Sequence, residues 1–162
     1  MKIAIVPGSF DPMTLGHLDV VKRAAFVFDR VIVAVMINDA KKYTFSMKER
    51  ANIASLTCKD IENAEVMTDS GLLVDLAKRT GACAVVKGVR NAEDYAYEAE
   101  MARYNAEMYP ELQTLLLPCD DRFREISSTL AREYISQGKD LSGIMSDDAI
   151  KYIVKISDNA AK

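Results

Sequence analysis

Short apolar runs alternate along the whole chain with longer stretches in which apolar residues recur every three or four positions. The short runs, Lys2–Val6, Val31–Ile37, Ala64–Met67, Ala84–Lys87 and Gln113–Leu117, predict five strands. The periodic stretches, about Gly16 to Phe28, Ser46 to Cys58, Leu72 to Thr80 and Glu93 to Met108, predict helices between them, and two further helices are expected from about Ser128 and Asp147. Strands that are apolar at nearly every position need cover on both faces, and regular strand–helix alternation produces parallel pairing. The predicted class is therefore α/β: an open parallel five-stranded sheet with helices on both faces and a C-terminal helical cap from Ser136 to Lys162.

Local punctuation agrees with this reading. Ser46-Met47-Lys48-Glu49 has the form of a capping box, and Gly81 after Lys78-Arg79-Thr80 predicts a helix stop. No Pro-, Gly- or Ser-rich linker interrupts the alternation and nothing repeats at a fixed period, so residues 1–162 are expected to form a single domain.

Composition narrows the partners. With 49% hydrophobic and 28% charged residues, the chain has the makeup of a soluble globular protein and not of a disordered or collagen-like one. The longest apolar run, Val31–Ile37, is far below the about 18 residues that span a bilayer, and Lys2 precedes only four apolar residues, so neither a membrane span nor a signal peptide is expected. Three widely spaced cysteines, Cys58, Cys83 and Cys119, form no disulfide framework or CxxC metal pair, which points to a reducing cytoplasm. A net charge of −3 offers no long-range attraction to a polynucleotide. Any polyanionic ligand must meet a local cationic pocket.

In an open parallel sheet ligands bind beyond the carboxyl ends of the strands, where the strand order reverses. Pro7-Gly8-Ser9-Phe10-Asp11-Pro12 leaves the first predicted strand and leads through Thr14-Leu15-Gly16 to His17, the only histidine, on the first turn of a helix. Small residues there admit a phosphate to the backbone, and an imidazole on that turn can donate to an oxygen on phosphorus as charge develops. After the fifth strand, Arg122-Phe123-Arg124-Glu125-Ile126 leads into Ser127, Ser128 and Thr129. An N-cap needs one hydroxyl, and three with exposed amides suit a triphosphate cradle. Lys87-Gly88-Val89-Arg90 after the fourth strand, and Lys41-Lys42 within Asn38-Asp39-Ala40-Lys41-Lys42 after the second, bring cations to the same edge. Glu98 and Glu100 lie on a helix whose exposed face carries acids in any case. Walker and GxGxxG patterns are missing from the sequence, which argues against a P-loop phosphotransferase and the usual dinucleotide fold, and no Cys/His cluster suggests zinc.

Gly8-Ser9-Phe10-Asp11-Pro12 with Thr14-Leu15-Gly16-His17, and Ile126-Ser127-Ser128-Thr129, resemble the two signatures of the nucleotidyltransferase superfamily. With Lys41-Lys42, Leu72-Leu73, Lys87-Gly88-Val89-Arg90 and Asp94-Tyr95-Ala96-Tyr97-Glu98, the chain resembles the bacterial phosphopantetheine adenylyltransferase family nearly end to end. The resemblance implies a Rossmann-like fold and the reaction of ATP with 4′-phosphopantetheine to give dephospho-coenzyme A and pyrophosphate. It also implies magnesium bound mainly through ATP phosphates with no protein metal ligands, a cytoplasmic homohexamer, and coenzyme A as a feedback inhibitor. Carried over, Ser9, Lys41, Leu73 and Lys87 would touch phosphopantetheine. Ser9, Phe10, His17, Gly88, Val89, Arg90, Glu98 and the segment Phe123, Arg124, Glu125, Ile126, Ser127, Ser128 and Thr129 would contact ATP.

The attacking group in such a reaction is already an anion, so no general base is needed. His17 and Lys41 are the expected catalytic residues, stabilising the transition state while Arg90 and Ser127–Thr129 hold the leaving phosphates. Lys87 stands where the family usually has arginine, keeping the charge and losing the bidentate fork. Thr129 replaces a usual serine, and Ser9 a usual threonine. Two alternatives stay open at this stage. One is a nucleotidyltransferase acting on nicotinamide mononucleotide, a sugar phosphate or an alcohol phosphate; the other is a non-catalytic ATP sensor.

Overall fold

A computed structural model describes residues 1–38 and 40–160, so Asp39 of the predicted loop after the second strand and the last two residues of the predicted cap lie outside the described residues. The chain runs β1 (Ile3–Gly8), α1 (Leu15–Val27), β2 (Arg30–Met36), α2 (Met47–Cys58), β3 (Ala64–Asp69), α3 (Leu73–Thr80), β4 (Ala84–Val89), α4 (Ala92–Met108), β5 (Gln113–Pro118), α5 (Ser128–Ser136) and α6 (Asp147–Ala160). The five strands form one sheet in the order β3-β2-β1-β4-β5, parallel throughout.

Period-two alternation sorts the strand side chains into two layers. Ala4, Val6, Val31, Val33, Val35, Ala84 and Val86 face one side, where α1, α2 and α6 cover them through Val20, Val21, Ala24, Ile53, Ala54, Ala149 and Ile153. Ile3, Ile5, Ile32, Ala34 and Val85 face the other, under Val74, Leu76 and Ala77 of α3. The predicted capping box is present: Glu49 N–H donates to Ser46 Oγ at 3.3 Å, and Ser46 N–H donates to Glu49 Oε2 at 2.8 Å. Gly81 ends α3 at φ +69°, a left-handed position that costs a residue without a Cβ nothing. Cys58, Cys83 and Cys119 are all free thiols. Among the described residues, no helix is long and apolar enough to cross a membrane.

Two expectations need correction. The fourth strand does not stop at Lys87, since Gly88 and Val89 belong to β4 and not to the loop after it, and β1 likewise runs on through Gly8. The predicted C-terminal cap is helical only from Asp147, because 138–146 is a turn-rich segment with left-handed Gly138 and Gly143. A short 3-10 turn, Asp121–Phe123, also stands between β5 and α5.

The sheet itself opens the site. β1 stays paired to β2 from Ile3↔Arg30 to Gly8↔Val35, but to β4 only at Ala4↔Ala84 and Ile5↔Val85. Beyond Val6 and Val86 the two central strands therefore diverge, at the point where strand order reverses. Pro7 contributes no N–H with which to close the gap.

Candidate active site

The diverging strand ends lead into a crevice of about 630 Å3, within the range of small-molecule sites. Its walls bring together Ser9, Phe10, His17, Lys41, Lys87, Gly88, Arg90, Glu98, Phe123, Ile126, Ser127, Ser128 and Thr129. Leu73 lines an adjoining cavity of about 370 Å3, which shares Gly8, Ser9, Lys41, Lys87 and Glu98 with the first. Val89, Arg124 and Glu125 line neither, since Val89 pairs with Pro118 in the sheet and Arg124 turns to Asp121 at 3.1 Å.

Both glycines at the strand ends make room. A Cβ on Gly8 would lie 2.9 Å from the Phe10 ring, and one on Gly88 would lie 2.8 Å from Val20 Cγ2 of α1. Phe10, itself at φ +47°, is buried and meets the His17 ring edge-on at 5.2 Å between centroids. Gly8 thus seats the aromatic ring that walls the imidazole, and Gly88 lets α1 close on β4.

The state of His17 follows from its partner. Thr14 N–H donates to Nδ1 at 3.0 Å, and because a backbone amide can only donate, Nδ1 must be the acceptor. The proton of the neutral ring is therefore on Nε2, available as a donor. Burial, with Lys87 and Arg90 adding like charge, pushes the pKa of His17 down to about 4 from the ordinary 6.5. The unfolded chain then takes up a proton in the window between those values that the folded protein refuses. Stability contributed by neutral His17 is whole above pH 6.5 and lost as pH falls toward 4, by about 3 kcal/mol in all. Denaturant titrations from pH 7 to 4 are expected to show a shallower loss in His17→Asn, whose side-chain oxygen keeps the Thr14 bond without titrating. Parallel curves for the two proteins would contradict the shift.

The cations are held in place. Lys87 Nζ lies 3.0 Å from Glu98 Oε1, and Arg90 Nε lies 3.1 Å from Asp94 Oδ2. Glu98 is thus turned to the site, and the reading of an acid on a merely exposed face applies to Glu100 alone, which pairs with Arg103. The three hydroxyls of the last motif are already engaged. Ser127 Oγ caps α5 by accepting from Leu130 N–H at 3.1 Å, Ser128 Oγ donates to the Pro12 carbonyl at 2.8 Å, and Thr129 Oγ1 accepts from Arg132 Nη2 at 3.2 Å. What the motif offers an anion is the amides of Ser128 and Thr129, which have no partner within the helix, that of Leu130 being capped by Ser127.

Sequence reasoning gave no role to the residues that hold these groups. The Asp11 carboxylate, buried, accepts from Thr44 N–H at 2.8 Å and Phe45 N–H at 2.9 Å, fastening the segment that follows Lys41. Arg132 Nη1 donates to the Asp11 carbonyl at 2.8 Å. Its signal was its place three and four residues beyond Thr129 and Ser128, on the same helix face. The carboxylates near the crevice are thus committed, Asp11 to amides and Asp94 and Glu98 to cations. Among the described residues no cluster of three His, Cys, Asp or Glu could hold a metal ion.

The profile of the Cytidylyltransferase-like family matches residues 5–134. The phosphopantetheine adenylyltransferase of Clostridium tetani is 40% identical over 98% of this chain and 99% of its own. That of Caldanaerobacter subterraneus is 43% identical over 91% and 92%, and that of Rubrobacter xylanophilus 42% identical over 96% and 95%. Among solved structures, one described as a nicotinate-nucleotide adenylyltransferase from Vibrio parahaemolyticus superposes with a TM-score of 0.71 over 96% of this chain and 93% of its own, at 22% identity, a likeness of fold alone. Near-complete coverage at such identity, on a parallel sheet that opens beside a single neutral histidine, places the chain in the phosphopantetheine adenylyltransferase family of nucleotidyltransferase enzymes.

Proposed function

We propose that the protein transfers the adenylyl group of ATP to 4′-phosphopantetheine, giving dephospho-coenzyme A and pyrophosphate. The observation that carries this reading is the pair of adjoining cavities with a common wall at Gly8, Ser9, Lys41 and Lys87. Two ligands seated in them would meet at their phosphate ends, whereas a nucleotide sensor needs only one cavity.

In the proposed reaction a phosphate oxygen of phosphopantetheine attacks the α-phosphorus of ATP in line. The new oxygen–phosphorus bond forms as the bond to pyrophosphate breaks, with no proton to remove and no covalent enzyme intermediate. His17 donates from Nε2 to an α-phosphoryl oxygen, and Lys41 shares the charge that develops there. Arg90 and the first-turn amides at Ser127–Thr129 receive the departing phosphates. Ser9, Lys41, Leu73 and Lys87 hold the acceptor. Phe10, Gly88, Glu98, Phe123 and Ile126 border the nucleotide, with Val89, Arg124 and Glu125 contributing only as flanking backbone. Magnesium enters as part of the nucleotide substrate, since the crevice carboxylates are already occupied.

The same reading extends to a cytoplasmic homohexamer inhibited by coenzyme A, which would compete for both cavities. Supporting it is the row of exposed Tyr97, Met101, Tyr104 and Met108, spaced four, three and four along α4, more apolar surface than one helix usually leaves to water. The test is pyrophosphate release from ATP and magnesium with 4′-phosphopantetheine, beside nicotinamide mononucleotide and a cytidylyl-transfer pair. Release with phosphopantetheine alone is expected. Release only with a competitor would overturn the acceptor, and ATP binding without release in any reaction would leave a sensor.

A further inference from the structure

Arg50 is the one guanidinium among the largest fully buried side chains, 1% exposed, at the head of the buried stripe of α2 that continues through Ile53, Ala54, Thr57 and Cys58. Burying a cation is expensive unless it is paired. Yet among the described residues no carboxylate lies within ion-pair distance of it. Its Nη1 donates to two main-chain carbonyls, Ser9 at 2.6 Å and Met36 at 3.0 Å. The guanidinium carbon lies 4.0 Å from the centre of the Tyr43 ring, and Nε, also buried, has no acceptor among the described residues. An apolar residue of the same size would leave the Ser9 and Met36 carbonyls without this donor, so what the arginine contributes lies in where it holds the main chain.

Apart from Nη2, which lies 3.7 Å from Met47 Sδ on α2 itself, its polar and aromatic contacts are at the site's framework. Met36 ends β2 just before the loop that carries Lys41, and Tyr43 follows Lys41, so one guanidinium holds both stems of that loop. Tyr43 closes the loop further by donating its hydroxyl to the Asn38 carbonyl at 3.1 Å. The third contact turns a peptide. In a trans peptide the carbonyl and the following N–H point in opposite directions, so holding the Ser9 carbonyl toward α2 turns the Phe10 N–H away from it. No described residue accepts from that amide.

We propose that Arg50 is a positioning residue for nucleotidyl transfer, which fixes Lys41 and the Phe10 amide toward the crevice by gripping the Ser9 and Met36 carbonyls and the Tyr43 ring together. The proposal rests on the nucleotidyltransferase reading of the crevice but not on the identity of the acceptor. Lysine would keep the charge yet cannot span two carbonyls and stack on an aromatic face at once.

The experiment is a double-mutant cycle of Arg50→Lys with Lys41→Ala, read both in the Kd of ATP–magnesium without acceptor and in turnover with 4′-phosphopantetheine, with a thermal melt of each variant. Arg50→Lys is expected to weaken ATP about tenfold and to lower kcat about thirtyfold or more, with the fold retained. The double variant is expected to lose less than the product of the two single losses, because part of what Arg50→Lys disables is Lys41 itself. Losses that multiply, or a lowered melting temperature with wild-type Kd and kcat, would overturn the proposal. Should Arg50→Lys fail to fold, Tyr43→Leu replaces it in the same cycle, and wild-type kinetics in Tyr43→Leu would make the arginine purely structural. A wild-type protein that binds ATP but releases no pyrophosphate with 4′-phosphopantetheine would sink the acceptor, while the cycle would still be decided in Kd.

Discussion

His17→Ala is expected to fold and to bind ATP while turning over about 100- to 1,000-fold more slowly, the loss of about 3 kcal/mol that follows removal of one donor aimed at developing charge. The argument rests on the tautomer. Thr14 N–H occupies Nδ1, so the ring is neutral with its hydrogen on Nε2, and burial, aided by the neighbouring Lys87 and Arg90, keeps it neutral well below pH 7. Alanine also strips the buried Thr14 amide of its acceptor, at about 1 kcal/mol of stability. His17→Asn separates the two effects. Its oxygen can replace Nδ1 at the cap but offers nothing at the position of Nε2. It should match wild type in denaturant and match alanine in steady-state turnover. Unchanged turnover in both would remove the imidazole from the chemistry.

Asp11→Ala should be the most damaging single change to the scaffold, destabilising by about 3 kcal/mol and lowering turnover together. Its two carboxylate oxygens each take one backbone amide, Thr44 and Phe45, the latter in a buried contact. Removing them leaves two donors unsatisfied, at about 1 to 3 kcal/mol for each one cut off from water. Thr44 and Phe45 lie just after Lys41, so the lysine would lose its fixed place as well. Asp11→Asn should recover little, because its NH2 would face one of the same two donors. Urea unfolding and steady-state kinetics on the pair would decide the point. An alanine variant with a wild-type unfolding midpoint would show that the amides find other partners and that Asp11 is dispensable.

The layered sheet was legible because its strands are buried on both faces, and such strands announce themselves as apolar runs whatever surrounds them. The same rule misplaced the ends of β1 and β4. Gly8 and Gly88 read as loop residues, but each is a strand residue stripped of its side chain so that Phe10 or Val20 can approach. In the site, His17 and the Ser127–Thr129 turn were visible because local spacing puts them at helix starts. The supports were not. Asp11 is tied to residues 33 and 34 positions away, distances over which spacing carries no information, and Arg132 shares a helix face with Ser128 and Thr129 but grips a carbonyl 121 positions away. Arg50 did leave a trace, as a charge at a core position of α2, and only the fold shows that the ends of β1 and β2 meet it there.

The clasp from α5 onto the first loop, Ser128 to Pro12 and Arg132 to Asp11, joins residues 116 and 121 positions apart. As the chain leaves the ribosome, the histidine motif appears first and the residues that brace it appear after most of the chain has been made. A nascent or clipped chain ending before Ser128 would carry His17 and Lys41 without the wall that completes their crevice. Long-range closure of this kind is slow to form and exposes apolar strand ends in the meantime. Nucleotide binding would therefore report a finished molecule, and ATP would favour full-length chains over fragments during synthesis and turnover in the cell.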